Sequence, residues 1–196
     1  PPLAPPPPQS KECPALPIGQ DWDAAADAPP VGGADGDPEG VPPMSLIASA
    51  LGFATVSVNS RGTGCSGGIG GLFDEIWAED GYDVVEAVAA QPWVTKVGLA
   101  GISFPGITQL FAAATNPPHL AAASPMSVLA DVYRTPGYPG GIFNNGFTKS
   151  WLTDRRNDTI PAPEGGQGYA VRRVNEGDLD CLANQKLRLQ TLDPIE

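Results

Sequence analysis

Residues 96–125 leave this chain little choice of architecture. Lys96–Gly101 (KVGLAG) is short and apolar, Gly106–Thr115 (GITQLFAAAT) is a helix-compatible run of small residues, and His119–Pro125 (HLAAASP) is again short and apolar. Two buried strands joined by a helix make a βαβ unit, and strands apolar on both faces belong in a parallel sheet covered on both sides. The class expected is therefore α/β. Upstream, Phe53–Asn59 (FATVSVN) reads as another buried strand from its β-branched content. Glu79–Ala90 reads as a helix, with Val84 and Val88 on one stripe, Val85 and Ala89 on the next, and Gln91-Pro92 ending it. MSLIASAL is expected to form a short helix capped by Ser45 and stopped by Gly52. Beyond Met126 the rhythm fails: residues 131–147 are rich in loop formers, and Glu176–Leu189 mixes helical and charged character.

The chemistry is concentrated at Gly101-Ile102-Ser103-Phe104-Pro105-Gly106. A serine directly after a buried strand and directly before a helix sits on a tight elbow at the carboxyl edge of the sheet. Gly101 and Gly106 leave room for the strand and helix to approach. The backbone N–H of Phe104 falls at the positive end of the new helix, where an oxyanion could be stabilised. The bland alternative is a structural serine at a βα turn. Pro105 stands where the generic elbow carries glycine.

Composition narrows the partners. The 196 residues carry a net charge of -11, from 22 acidic and 11 basic side chains, which argues against a nucleic-acid backbone or an anionic bilayer as partner. No apolar run is long enough to span a membrane. Much of the acidity lies in residues 1–42, a Pro-rich leader expected to be disordered, with Pro1–Pro8 favouring polyproline II as a spacer or as a ligand for a Pro-binding groove. His119 is the single histidine, so the commonest general base has one candidate here.

Gly62-Thr63-Gly64-Cys65-Ser66-Gly67 matches a dinucleotide fingerprint in form. Yet Gly68, Ile69, Gly70 and Gly71 follow, so no helix N-terminus is placed to receive a pyrophosphate. The run reads instead as a tight loop, with Arg61 expected to pair with Asp83 or Asp74.

Taken together, VSVNSRGTGCSGG, then Asp80 and GYDVVEAVAAQPW, then KVGLAGISFPGITQLFAAATNPPHLAAASPMSVLADVYR resemble the cocaine esterase-like and X-prolyl dipeptidyl-peptidase-like serine hydrolases. The likeness runs from about Pro43 onward and is strongest from Asn59 to Arg134. Arg61-Gly62, Ser66-Gly67, Tyr82-Asp83, Gln91-Pro92-Trp93 and Gly101-x-Ser103-aromatic-x-Gly106 occur in one order. The resemblance implies an α/β-hydrolase core with a helical cap, Ser103 as nucleophile, and the Phe104 backbone as one oxyanion donor. In that family Pro105 fits the elbow, and Tyr is usual where Phe104 stands.

The same resemblance divides the chain into a leader (1–42), a partial core (43–134) and the start of a cap (135–196). It places the triad acid and histidine beyond the cap, and His119 at a non-catalytic position. The expectation is a portion of a serine hydrolase acting on ester or X-prolyl peptide bonds through an acyl-enzyme, inactive by itself. The alternative is a non-catalytic interaction protein. The strand Phe53–Asn59 is then not a neighbour of Lys96–Gly101, because an upstream strand normally lies between them. The expected partner is a small ester or peptide substrate; no cofactor is implied, and the cysteine spacing carries no metal signature. A Cys65–Cys181 disulfide would tie cap to core and suit an exported protein, leaving Cys13 in the leader; three free thiols is the alternative.

Overall fold

The computed structural model describes residues 43–188, so the readings made for the leader lie outside the described residues. Helix α1 (Pro43–Ala50) begins two residues ahead of Ser45, which lies inside it rather than capping it; proline is favoured at a first helical position because its missing N–H needs no partner there. Its end is built as expected around Gly52. With φ of 87°, Gly52 lets the Phe53 N–H reach back to the Ala48 carbonyl (3.0 Å) and its own N–H reach Ser49 (3.0 Å).

The central unit is α2 (Ile76–Ala89), β1 (Val97–Ile102), α3 (Phe104–Ala114) and β2 (Leu120–Met126). β1 and β2 pair in parallel, from Val97 opposite Leu120 to Ile102 opposite Met126, with α3 as the crossover. Val85 on α2 is buried, as its stripe requires. Helices α2 and α3 cross where a Cβ on Gly81 would come within 2.5 Å of the Ala112 Cβ, so glycine there sets how closely they pack. Gln109, in the middle of α3, is 4 % exposed. Its amide donates to the Pro105 carbonyl (2.9 Å) and accepts from the Ser124 N–H (3.1 Å), stitching the helix to β2.

The segment Phe53–Asn59 departs from expectation. It forms no ladder among the described residues, and its side chains are exposed, Phe53 at 66 % and Val58 at 58 %. A strand exists only through a neighbour that accepts its hydrogen bonds; among the described residues β1 pairs with β2 alone, and the segment joins neither of them in a ladder.

Three further helices follow a π-helical turn at Tyr133–Gly137: α4 (Phe147–Asp158), α5 (Gly168–Asn175) and α6 (Leu179–Gln185). They make the later region more helical than its loop-forming composition suggests. A small core of Ala162, Ala170 and Cys181 holds α5 and α6 together, with Cys65, Val171 and Val174 packed on it.

Candidate active site

Ser103 occupies the single residue between β1 and α3 and adopts φ 62°, ψ -122°, a region that side-chain-bearing residues avoid. Several constraints hold it there. The Ser103 N–H donates to the Met126 carbonyl at the end of β2 (2.9 Å), and its carbonyl accepts from Gly106 (2.8 Å) and Ile107 (2.9 Å). The two glycines are spacers: a Cβ on Gly101 would lie 2.6 Å from the Pro105 Cβ, and one on Gly106 would collide with the Met126 carbonyl. A serine at a helix N-cap ordinarily spends its hydroxyl on the first-turn N–H groups. Ser103 makes no such side-chain bond, and it lines a cavity instead.

The first turn of α3 leaves one donor over. Pro105 has no N–H, and those of Gly106 and Ile107 bind back to Ser103, so the Phe104 N–H has no carbonyl to bind within the helix. It sits at the positive end of the helix dipole, beside the Ser103 hydroxyl. The Phe104 ring is locked edge-on against Trp77 (centroids 5.0 Å apart) and packs on Trp151 of α4 (5.8 Å). Phe73, at φ 59°, stacks on Trp151 (6.1 Å) and lies against the Phe104 ring as well (6.2 Å), so the three rings form one cluster.

The cavity has a volume of about 560 Å³. Aromatic rings dominate its wall, with Phe73, Phe104, Phe143 and Trp151 around Ser103 and Lys149 as its charged residue. Such a space can hold an apolar group against the serine, and the elbow presents one N–H where negative charge would gather.

Residues 4–195 match the family described as X-Pro dipeptidyl-peptidase (S15 family). The chain belongs to this S15 family. Among curated proteins it is 34% identical over 106 residues to a Mycobacterium bovis protein named "Putative serine esterase", covering 52% of this chain and 17% of that protein. A Mycobacterium tuberculosis protein of the same description gives the same values. The cocaine esterase of a Rhodococcus strain is 35% identical over 121 residues, 56% of this chain and 21% of that protein. The chain thus spans about a fifth of the length of the curated relatives it matches. No solved structure matches it. Membership places the chain in a serine-hydrolase-like family, and the βαβ unit with its helices is consistent with a partial α/β-hydrolase-like core.

The structure of this S15 chain does not bring His119 to Ser103. His119 precedes β2 at the amino edge of the sheet, whereas Ser103 follows β1 at the carboxyl edge. Six residues of strand separate the two edges, roughly 20 Å. The His119 Nδ1 lies 2.5 Å from Glu86 of α2, whose other oxygen accepts the His119 N–H (3.2 Å). Arg61 also finds a different partner from those expected: its Nε donates to Asp80 (2.7 Å) and its Nη2 to the other oxygen, a bidentate pair one helical turn before Asp83. The hydrogen bond from Asp80 holds the Arg61 guanidinium above its ordinary pKa.

Cys65 and Cys181 are joined in a disulfide across a sequence separation of 116. Around it, α6 and the residues just after it grip the glycine loop. Gln185 donates to the Gly64 carbonyl (3.1 Å), Asn184 to that of Cys65 (3.0 Å), and the buried Arg188 to Ser66 (3.1 Å) and Gly64. Arg188 faces carbonyl dipoles, and burial lowers its pKa. This clasp fixes the loop that delivers Leu72 and Phe73 to the cavity wall. The sequence left a Cys65–Cys181 bridge and three free thiols as alternatives, and it carried no signal for Gln185 and Arg188, whose roles arise from carbonyls distant in the chain, or for Gln109, which braces α3 to β2. Among the described residues no group of three His, Cys, Asp or Glu side chains could hold a metal, and no helix is long and apolar enough to cross a membrane.

Proposed function

We propose that Ser103 is the nucleophile of a serine hydrolase that cleaves ester or X-prolyl acyl bonds, with the Phe104 N–H as one oxyanion donor. The observation that carries this reading is the backbone of Ser103, strained at φ 62°, ψ -122° with its hydroxyl spared from helix capping and bordering the cavity. In the reaction, the Ser103 Oγ adds to the substrate carbonyl carbon and its proton passes to a base. The negative oxygen turns toward the Phe104 N–H. As the tetrahedral species collapses, the C–O or C–N bond breaks and the leaving group takes the proton from that base. Water then attacks the acyl-serine by the same route.

The one histidine is bound to Glu86 at the far edge of the sheet and is not this base. The relatives support both substrate arms: the family is described by X-prolyl dipeptide release, whereas the curated relatives carry esterase names. A fluorophosphonate probe with mass mapping tests the nucleophile in a longer protein containing this chain. Modification of Ser103 is expected; modification of another residue with Ser103 untouched would overturn the assignment.

A further inference from the structure

The cavity beside Ser103 has a charge pattern that separates the two substrate arms. Among the described residues its lining contains Lys149 and no carboxylate, and the remaining wall is mainly aromatic and aliphatic. Lys149 is exposed and is the third residue of α4, so its ammonium is attached at the helix's first turn, where unsatisfied N–H groups already make the potential positive. A cation is the unfavourable choice there for the helix itself. The polar group next to it is already committed, the Thr148 hydroxyl donating to the Pro136 carbonyl (2.6 Å). Of the acids nearby in sequence, Asp158 pairs with Arg155 (2.9 Å) and Asp131 with Arg134 (2.6 Å), and neither of them nor Asp154 of α4 lines the cavity.

An X-prolyl dipeptide brings a free α-ammonium into the acyl site. Against this wall it would lose water, find no carboxylate to accept its protons, and face a like charge. An apolar acyl group ending in a carboxylate meets the opposite situation. We infer that Lys149 is a specificity-determining residue, and that the acyl group taken by this cavity is apolar with an anionic end, which favours the ester arm. Calling the ligand an acyl group rests on the hydrolase reading above; the charge preference belongs to the cavity alone.

Three ligands with one apolar body isolate the charge: 4-phenylbutyrate, 4-phenylbutyramide and 4-phenylbutylamine. They are titrated at low salt into the full 196-residue chain, with backbone chemical-shift changes at Thr148 and Lys149 locating the site. The carboxylate should bind about threefold more tightly than the amide, and the amine about threefold more weakly, the scale set by one exposed charge pair. Lys149→Met should erase the difference between carboxylate and amide, and Lys149→Glu should invert the order. The inference is overturned if the amine binds as tightly as the carboxylate, if the order survives Lys149→Met, or if none of the three shifts these amides. A carboxylate preference that persists while the fluorophosphonate ignores Ser103 would count against the hydrolase reading and leave the role of Lys149 standing.

Discussion

Ser103 holds a backbone conformation that costs a residue with a Cβ about 1–3 kcal/mol, and the surrounding hydrogen bonds from β2 and α3 over-determine it. Glycine tolerates that region freely, at a backbone-entropy cost of about 0.5–1 kcal/mol. Ser103→Gly should therefore stabilise the chain by about 1 kcal/mol in urea unfolding while removing the proposed nucleophile; a loss of stability would show that the elbow is unstrained. Gly106→Ala tests the opposite case. Its methyl would strike the Met126 carbonyl, and a destabilisation of about 1–3 kcal/mol is expected from overpacking in the same experiment. The serine was legible from sequence because strand, serine and helix are adjacent in the chain and the elbow is local. Gln109 was not legible: a glutamine inside a helix ordinarily faces solvent, and only the approach of Ser124 from β2, added to the Pro105 carbonyl one turn back on the same helix, makes it a buried brace.

Among the elements, α6 is tied to the glycine loop by the Cys65–Cys181 disulfide and by side-chain hydrogen bonds from Asn184 and Gln185. Gln185 and Arg188 place donors against the buried Gly64 carbonyl, so Gln185→Ala should cost about 1–3 kcal/mol in denaturant unfolding by leaving polar groups unpaired; an unchanged midpoint would mean that water replaces the amide. Helix α6 is capped by Asp178, which accepts the Cys181 N–H (2.8 Å) and pairs with Arg173 (2.7 Å). That backbone hydrogen bond, aided by the arginine, holds the Asp178 carboxyl below its ordinary pKa. Its cap is thus fully present above the unfolded value, about 3.9, and is lost as pH falls through the lower folded value. Asp178→Ala should remove about 1 kcal/mol of stability at neutral pH, and the gap between variant and parent should shrink on acidification below that range. Element by element, sequence periodicity located α2, β1, α3 and β2 because each is specified by its own apolar pattern. Phe53–Asn59 misled because β-branched composition advertises a strand while pairing depends on a partner elsewhere.

In the molecule as a whole, the two-stranded parallel sheet stands out, because parallel strands are ordinarily covered on both faces and flanked by others. Ile102, Leu110 and Phe53 are all exposed, and among the described residues β1 pairs along one side only. Hydrogen exchange should show this as an alternation along Val97–Ile102, with amides facing β2 protected and those between them exchanging fast; uniform protection would mean that the second side of β1 has found a partner in solution. The overall class was readable from the order of apolar runs, but the number of strands that pair was not, since that is a property of the assembled sheet. The bond between Cys65 and Cys181 has a topological consequence as well. It closes a covalent ring around α2, β1, α3, β2, α4 and α5, with Ser103 and Lys149 both inside it. A protease that cuts once within the exposed stretch around Ile142 would open the ring without dividing the molecule: the product should migrate as one chain on a non-reducing gel and as two after thiol treatment, with the two candidate site residues parted onto different pieces.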